Sequence, residues 1–270
     1  PHIGNYGVND DDAESRQIWV SGYVVRDPAR ISSNWRSQRD LAEDLAAQGI
    51  VGISDIDTRA LTRHLRERGA MRVGIFSGDH AQRPVEELLE KVLQSPVMEG
   101  SSLADEVSVE TEQVIQAVGE RRFTVAAIDL GIKGATPRLM SQRGIEVHIL
   151  PSTTTAEQML AVGVDGVFFS NGPGDPATAD HAVSLMQAAL DAGRALFGIC
   201  FGNQILGRAL GFETYKLKYG HRGINIPVKD LATGSIAISA HNHGFAVSAP
   251  VGEVVDTEFG RAEVSHVCVN

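Results

Sequence analysis

Cysteine is nearly absent from this chain: Cys200 and Cys268 are the two in 270 residues. That excludes a disulfide framework and suits a reducing cytosol, so a cytoplasmic protein is expected. Long apolar runs are missing too. No stretch approaches bilayer length and no secretory signal pattern opens the chain, so no membrane role is expected. Basic residues are outnumbered, 24 Lys and Arg against 34 Asp and Glu, for a formal net charge of −10. This argues against a broad nucleic-acid or anionic-membrane surface. No Gly-rich Lys-Ser/Thr phosphate loop occurs, nor any repeat or low-complexity tract. Metal-ligand spacing is also lacking. His241 and His243 stand two apart beside Asn242 without a further ligand cluster in the sequence, so no metal is expected.

What remains is an ordinary globular composition, 43% hydrophobic and 21% charged. The length allows one large or two ordinary domains, each with its own core. The first half reads as mixed α/β. Strands are expected over 17–25, 50–53 and 71–77. Helices are expected over 38–48 (capped by Ser37, closed by Gly49), 59–68 (from Asp57 or Thr58 to Gly69) and 83–92. Arg59, Arg63, Arg66 and Arg68 make the second helix basic, as a solvated face or a partner contact. A polar stretch follows, and the linker is placed at 116–122, giving domains 1–118 and 122–270.

The second half alternates. Strands at 123–129, 145–150, 163–169 and 195–199 are interleaved with helices within 131–143, 155–162, 177–192 and 203–210. That order implies a mostly parallel sheet with helices on both faces. Beyond Leu210 the pattern turns β-rich, with strands at 213–218, 235–240, 251–257 and 263–269. Cys268 alternates there with Val267 and Val269 and reads as inert.

Two strand-to-helix turns carry the chemistry. The first is Phe197-Gly198-Ile199-Cys200-Phe201-Gly202-Asn203-Gln204. A cysteine in an apolar stretch is ordinarily a small buried hydrophobe. Flanking glycines at a switch from strand to helix instead describe a thiol nucleophile elbow. The helix end should favour thiolate over thiol. The second turn is Asn171-Gly172-Pro173-Gly174-Asp175-Pro176, one βα unit earlier. Both loops should share the carboxyl edge of the sheet, where ligands bind. The N–H groups of Gly172 and Gly174, stiffened by the prolines, and that of Phe201 could form an oxyanion hole, so acyl transfer or amide hydrolysis is expected.

These two blocks resemble the class I (triad) glutamine amidotransferases. Three further blocks are similar to the small, glutaminase subunit of carbamoyl-phosphate synthase: 240–247 (Ala-His-Asn-His-Gly-Phe-Ala-Val), 218–228, and Ile53-Ser54-Asp55-Ile56-Asp57-Thr58-Arg59-Ala60-Leu61-Thr62-Arg63. Pro1-His2-Ile3-Gly4-Asn5-Tyr6-Gly7 and Ser33-Asn34-Trp35-Arg36 fit that subunit as well. The resemblance spans essentially the whole chain. It implies a mixed α/β amino-terminal domain and a flavodoxin-like amidotransferase domain.

The resemblance further implies L-glutamine as substrate, Cys200 as nucleophile, and Gly172, Gly174, Phe201, Gln204, Asn242, Gly244 and Phe245 around the substrate. The partner would be a large synthetase subunit that carries ATP and Mg²⁺, with no cofactor on this chain. The product, carbamoyl phosphate, would feed arginine and pyrimidine synthesis. Phe201 stands where the family often has Leu, and Asn203 where it often has His. No His-x-Glu occurs in the 270 residues, and Glu263 and His266 have the wrong order. A chain cut at both ends is therefore expected, with negligible activity by itself. Two alternatives stay open: another triad amidotransferase, or a binding module for the large subunit.

Overall fold

The computed structural model describes residues 2–161 and 163–269. Pro1 of the opening motif, Val162 of the expected helix 155–162, and Asn270 lie outside them. Two compact units divide the chain, Pro1–Val97 and Met98–Asn270.

In the first unit, β1 (His2–Ile3) pairs in parallel with β3 (Asp27–Pro28), and β2 (Gly22–Val24) with β4 (Val51–Ile53). Its helices are α1 (Leu41–Ala47), α2 (Thr58–Arg68) and α3 (Val85–Gln94). α2 begins and ends as expected: the Asp57 carboxylate accepts from the N–H groups of Arg59 and Ala60, and Gly69 closes it at φ 98°. α1 is capped by Asp40 rather than Ser37. Asp40 and Glu43 form a reciprocal capping box, while the Ser37 hydroxyl is turned to Ser32 and the Arg39 carbonyl. Residues 71–77 run without strand pairing.

The expectation of a separate core for each domain does not hold for this unit. Among its described residues no hydrophobic side chain is fully buried, and Asn9 and Asp44 are the buried polar ones. Arg39 instead bridges Asp10 and Asp44, each at 2.7 Å. Ile31, Trp35 and Val85 stay exposed.

The second unit opens ahead of the expected linker. α4 (Ala104–Val107) and β5 (Gln113–Ile115) already belong to it. The Gly100 N–H donates to the Asp175 carboxylate, and the Val109 N–H to that of Asp129, both at 2.8 Å. β6 (Phe123–Asp129), β7 (Ile145–Pro151), β8 (Gly166–Phe169) and β9 (Ala195–Gly198) complete a five-stranded sheet in the order β5-β7-β6-β8-β9. β5 is antiparallel and the rest parallel. The run β7-β6-β8-β9 has the flavodoxin-like order, whose switch point lies between β6 and β8.

Alternation along the strands divides the core. Ala126, Ile128, Leu130, Val167 and Phe169 face α6 (Ala156–Ala161), α7 (Asp180–Asp191) and α8 (Phe201–Ala209). Ala127, Val147, Ile149 and Phe168 face the other way, with Met140 of α5 (Ala135–Ser141) packed against them. Burial on both faces explains the apolar stretches 125–128 and 167–169.

Beyond α8, β10 (Glu213–Asp230) and β11 (Ile236–Ser248) form a long antiparallel pair, with β14 (His266–Cys268) on the outer edge of β10. β12 (Val254–Thr257) and β13 (Gly260–Glu263) make a separate hairpin. α8 lies directly on β11: a Cβ at Gly207 would stand 2.7 Å from the Val247 side chain.

Candidate active site

Three loops converge at the carboxyl edge around the switch point. The loop after β6 is stapled by Asp129, whose carboxylate accepts from the N–H groups of Gly131 (2.9 Å) and Ile132 (2.8 Å). The Ser170 hydroxyl, at the end of β8, accepts from the Leu130 N–H at 2.9 Å. The Asn171 amide donates to the Gly131 carbonyl at 2.8 Å. Gly172 then passes so close that a Cβ on it would lie 2.1 Å from the Leu130 carbonyl oxygen. Gly174 adopts φ 94°, where a Cβ would also meet the Ser101 carbonyl at 2.7 Å.

Cys200 sits on the third loop, between β9 and α8. Its backbone lies at φ 55° and ψ −105°, and Asp55 is the other non-glycine residue of positive φ among those described. Such a conformation costs about 1–3 kcal/mol. It persists because the surroundings fix it. The Ile199 N–H donates to the Phe169 carbonyl at 3.1 Å, and the Gly202 N–H to those of Ser170 (3.1 Å) and Ile199 (3.0 Å). Gly198 and Gly202 let the backbones meet, since Cβ atoms there would come within 2.5 Å and 2.2 Å of neighbouring main chain.

The thiol is half-buried and donates to the Asn242 carbonyl on β11, S···O 3.8 Å. Gln204, one turn into α8, is buried and donates to the Phe245 carbonyl at 2.7 Å. Cys200, Gln204, Asn242 and Phe245 are thus joined by direct contacts. Buried Phe201 supplies an N–H to the Cys200 sulfur. Gly244 lies beside two cations, 3.6 Å from Arg222 Nη2 and 3.7 Å from Lys216 Nζ as measured from its hypothetical Cβ. Gly172 and Gly174 join through Ser170, which ties their loop to the elbow.

The expected thiolate is corrected. Burial pushes the Cys200 thiol above its ordinary range, outweighing the opposing pull of the Phe201 N–H and the Lys133 charge. Lys133 was missed by sequence reasoning. Its position just past β6, at the binding edge, was the available signal. The structure also brings His221 against His241 and His243, a grouping that sequence spacing alone did not give.

A strained, half-buried thiol at a strand-to-helix elbow, on the carboxyl edge of a mostly parallel sheet and one strand from its switch point, fits the class I glutamine amidotransferase fold. The family model of that description, "Glutamine amidotransferase class-I", matches residues 126–270. A second, "Carbamoyl-phosphate synthase small chain, CPSase domain", matches residues 1–75. The carbamoyl phosphate synthase small chain of Streptomyces coelicolor is 67% identical over 270 residues, covering 100% of this chain and 71% of that protein. Its namesake from Bifidobacterium longum is 55% identical over 287 residues, covering 100% and 70%. The chain belongs to the carbamoyl-phosphate synthase small chain family. No helix among its described residues is long and apolar enough to cross a membrane.

Proposed function

We propose that this chain is the glutaminase component of a carbamoyl-phosphate synthase, with Cys200 as the nucleophile. The elbow carries this reading: on a strained backbone fixed by its surroundings, it holds the sulfur beside Asn242 and next to the Phe201 N–H. The sulfur adds to the side-chain amide carbon of glutamine. The Phe201 N–H, with Gly172 opposite, receives the developing oxyanion. The C–N bond then breaks, the thiol proton leaves with ammonia, and a thioester remains. Water hydrolyses it to glutamate and restores the thiol. Gln204 holds Phe245 in place, and Asn242, Gly174 and Gly244 complete the substrate cradle. Ammonia passes to a large synthetase subunit in the cytoplasm, where ATP and Mg²⁺ act, and carbamoyl phosphate serves arginine and pyrimidine synthesis.

The thiol starts protonated, and its hydrogen-bond partner is a carbonyl, which cannot take the proton. No His-x-Glu lies in the 270 residues. A positioned acid/base is worth about 10²–10⁴-fold in rate. Residues 1–270 alone are therefore expected to hydrolyse glutamine slower than a homologue bearing that pair by about this factor. Glutamate release by the two proteins, measured side by side, tests it. Equal rates would show that a base within these residues suffices. Complete inactivity that persists after such a pair is supplied would favour the binding-module reading.

A further inference from the structure

We infer that His221, His241 and His243 form a binding site for a divalent transition metal of the zinc class. The cluster adjoins the glutamine site proposed above, since Asn242 lies between His241 and His243 and His243 is bonded to the Phe245 carbonyl. Its basis is the register of the long strand pair. His221 of β10 lies directly opposite His243 of β11, and Gly223, two residues on, lies opposite His241. Since side chains alternate with period two, all three imidazoles project from one face of the pair. One ring nitrogen of each lies within 4.8 Å of the other two.

The individual nitrogens fit the role. His243 Nδ1 is 2.8 Å from the Phe245 carbonyl, which fixes Nδ1 as the protonated nitrogen and leaves Nε2 an acceptor, now taken by a hydrogen bond from His241 Nδ1 that a metal would displace. A carbonyl partner of this kind is the usual support of a metal-bound histidine. That Nε2 is 3.2 Å from His241 Nδ1. Two imidazoles at about 2.0–2.1 Å on a tetrahedral zinc have nitrogens roughly 3.3–3.4 Å apart, so this pair already has the right bite. Nδ1 of His221 is buried and has no hydrogen-bond partner. Leaving such a group unsatisfied is unfavourable, and a metal bond would remove that cost.

Closing the site requires the three nitrogens, now within 4.8 Å of one another, to draw together and the His241–His243 hydrogen bond to be exchanged for metal bonds. Water completes the fourth position, as at other three-histidine zinc sites.

The test uses the full chain free of any polyhistidine tag. Cobalt(II) titration is expected to give the visible bands of tetrahedral cobalt, saturating at one equivalent per chain. Zinc affinity comes from competition with a chromophoric chelator. His221→Gln and His241→Gln, on separate strands, should each weaken zinc by about tenfold or more. Cys200→Ser should leave both readouts unchanged. The inference is overturned if wild-type protein gives no tetrahedral cobalt spectrum, a measurement that requires no variant. It is overturned equally if both glutamine variants, folded by circular dichroism, keep wild-type affinity, or if Cys200→Ser abolishes binding.

Discussion

Replacing Cys200 by serine is expected to cut glutamine-driven carbamoyl phosphate formation by at least about 10³-fold in the assembled synthase, while ammonia-driven formation is retained. The substitution conserves size and the ability to donate to the Asn242 carbonyl, so the elbow should persist. What changes is the nucleophile. Burial already raises the thiol above its ordinary range, and a hydroxyl in the same place is far harder still to ionise. Free ammonia bypasses the site, so the ratio of the two rates isolates the glutaminase step from assembly and from the large subunit. A serine variant that kept its glutamine-driven rate would remove Cys200 from the mechanism.

The second large effect is expected at Gly202. A Cβ there would stand 2.2 Å from the Phe169 carbonyl oxygen and 2.7 Å from its carbon, both main-chain atoms of β8 that cannot rotate aside. Gly202→Ala must therefore push α8 away from the sheet and disturb two bonds donated by its own N–H. We expect a loss of about 3 kcal/mol or more in stability, at the upper end for overpacking, together with loss of glutamine turnover. Gly52→Ala is the control, since the nearest atom to its Cβ would be the Tyr23 carbonyl at an ordinary 3.9 Å. Denaturant midpoints of the two variants provide the comparison. Indistinguishable midpoints would mean that the close approach at the elbow is not needed.

The amidotransferase half was the more legible in sequence, and the reason is burial. Strands covered on both faces, such as β6 and β7, are mostly apolar and bounded by turn residues, and they lie where expected. The elbow was legible because its signature is local: two glycines around a cysteine. The first unit was harder. Its order rests on charged bridges such as Arg39 with Asp10 and Asp44, which leave no periodic apolar trace. Ser37 and Asp40 are both competent caps by residue type, and the choice between them was made by the Glu43 side chain reaching back. Strand 71–77 failed because apolar alternation does not guarantee a neighbour to pair with. The sign of the Cys200 shift turned on how deeply the sulfur is enclosed, which no motif reports. His221 was missed for a comparable reason. Its association with His243 is set by strand register across a bulged pair, information held in no short window of sequence.

The backbone at Cys200 also sets stability against activity. A glycine would occupy φ 55° at little cost, whereas a side-chain-bearing residue pays for it. Cys200→Gly should therefore leave the fold as stable as the parent or more so, measured by thermal unfolding, while removing the reactive group. Selection for stability alone would drift this position toward glycine. Sulfur at this position therefore comes with a less stable turn, a cost that the proposed reaction accounts for and the fold does not.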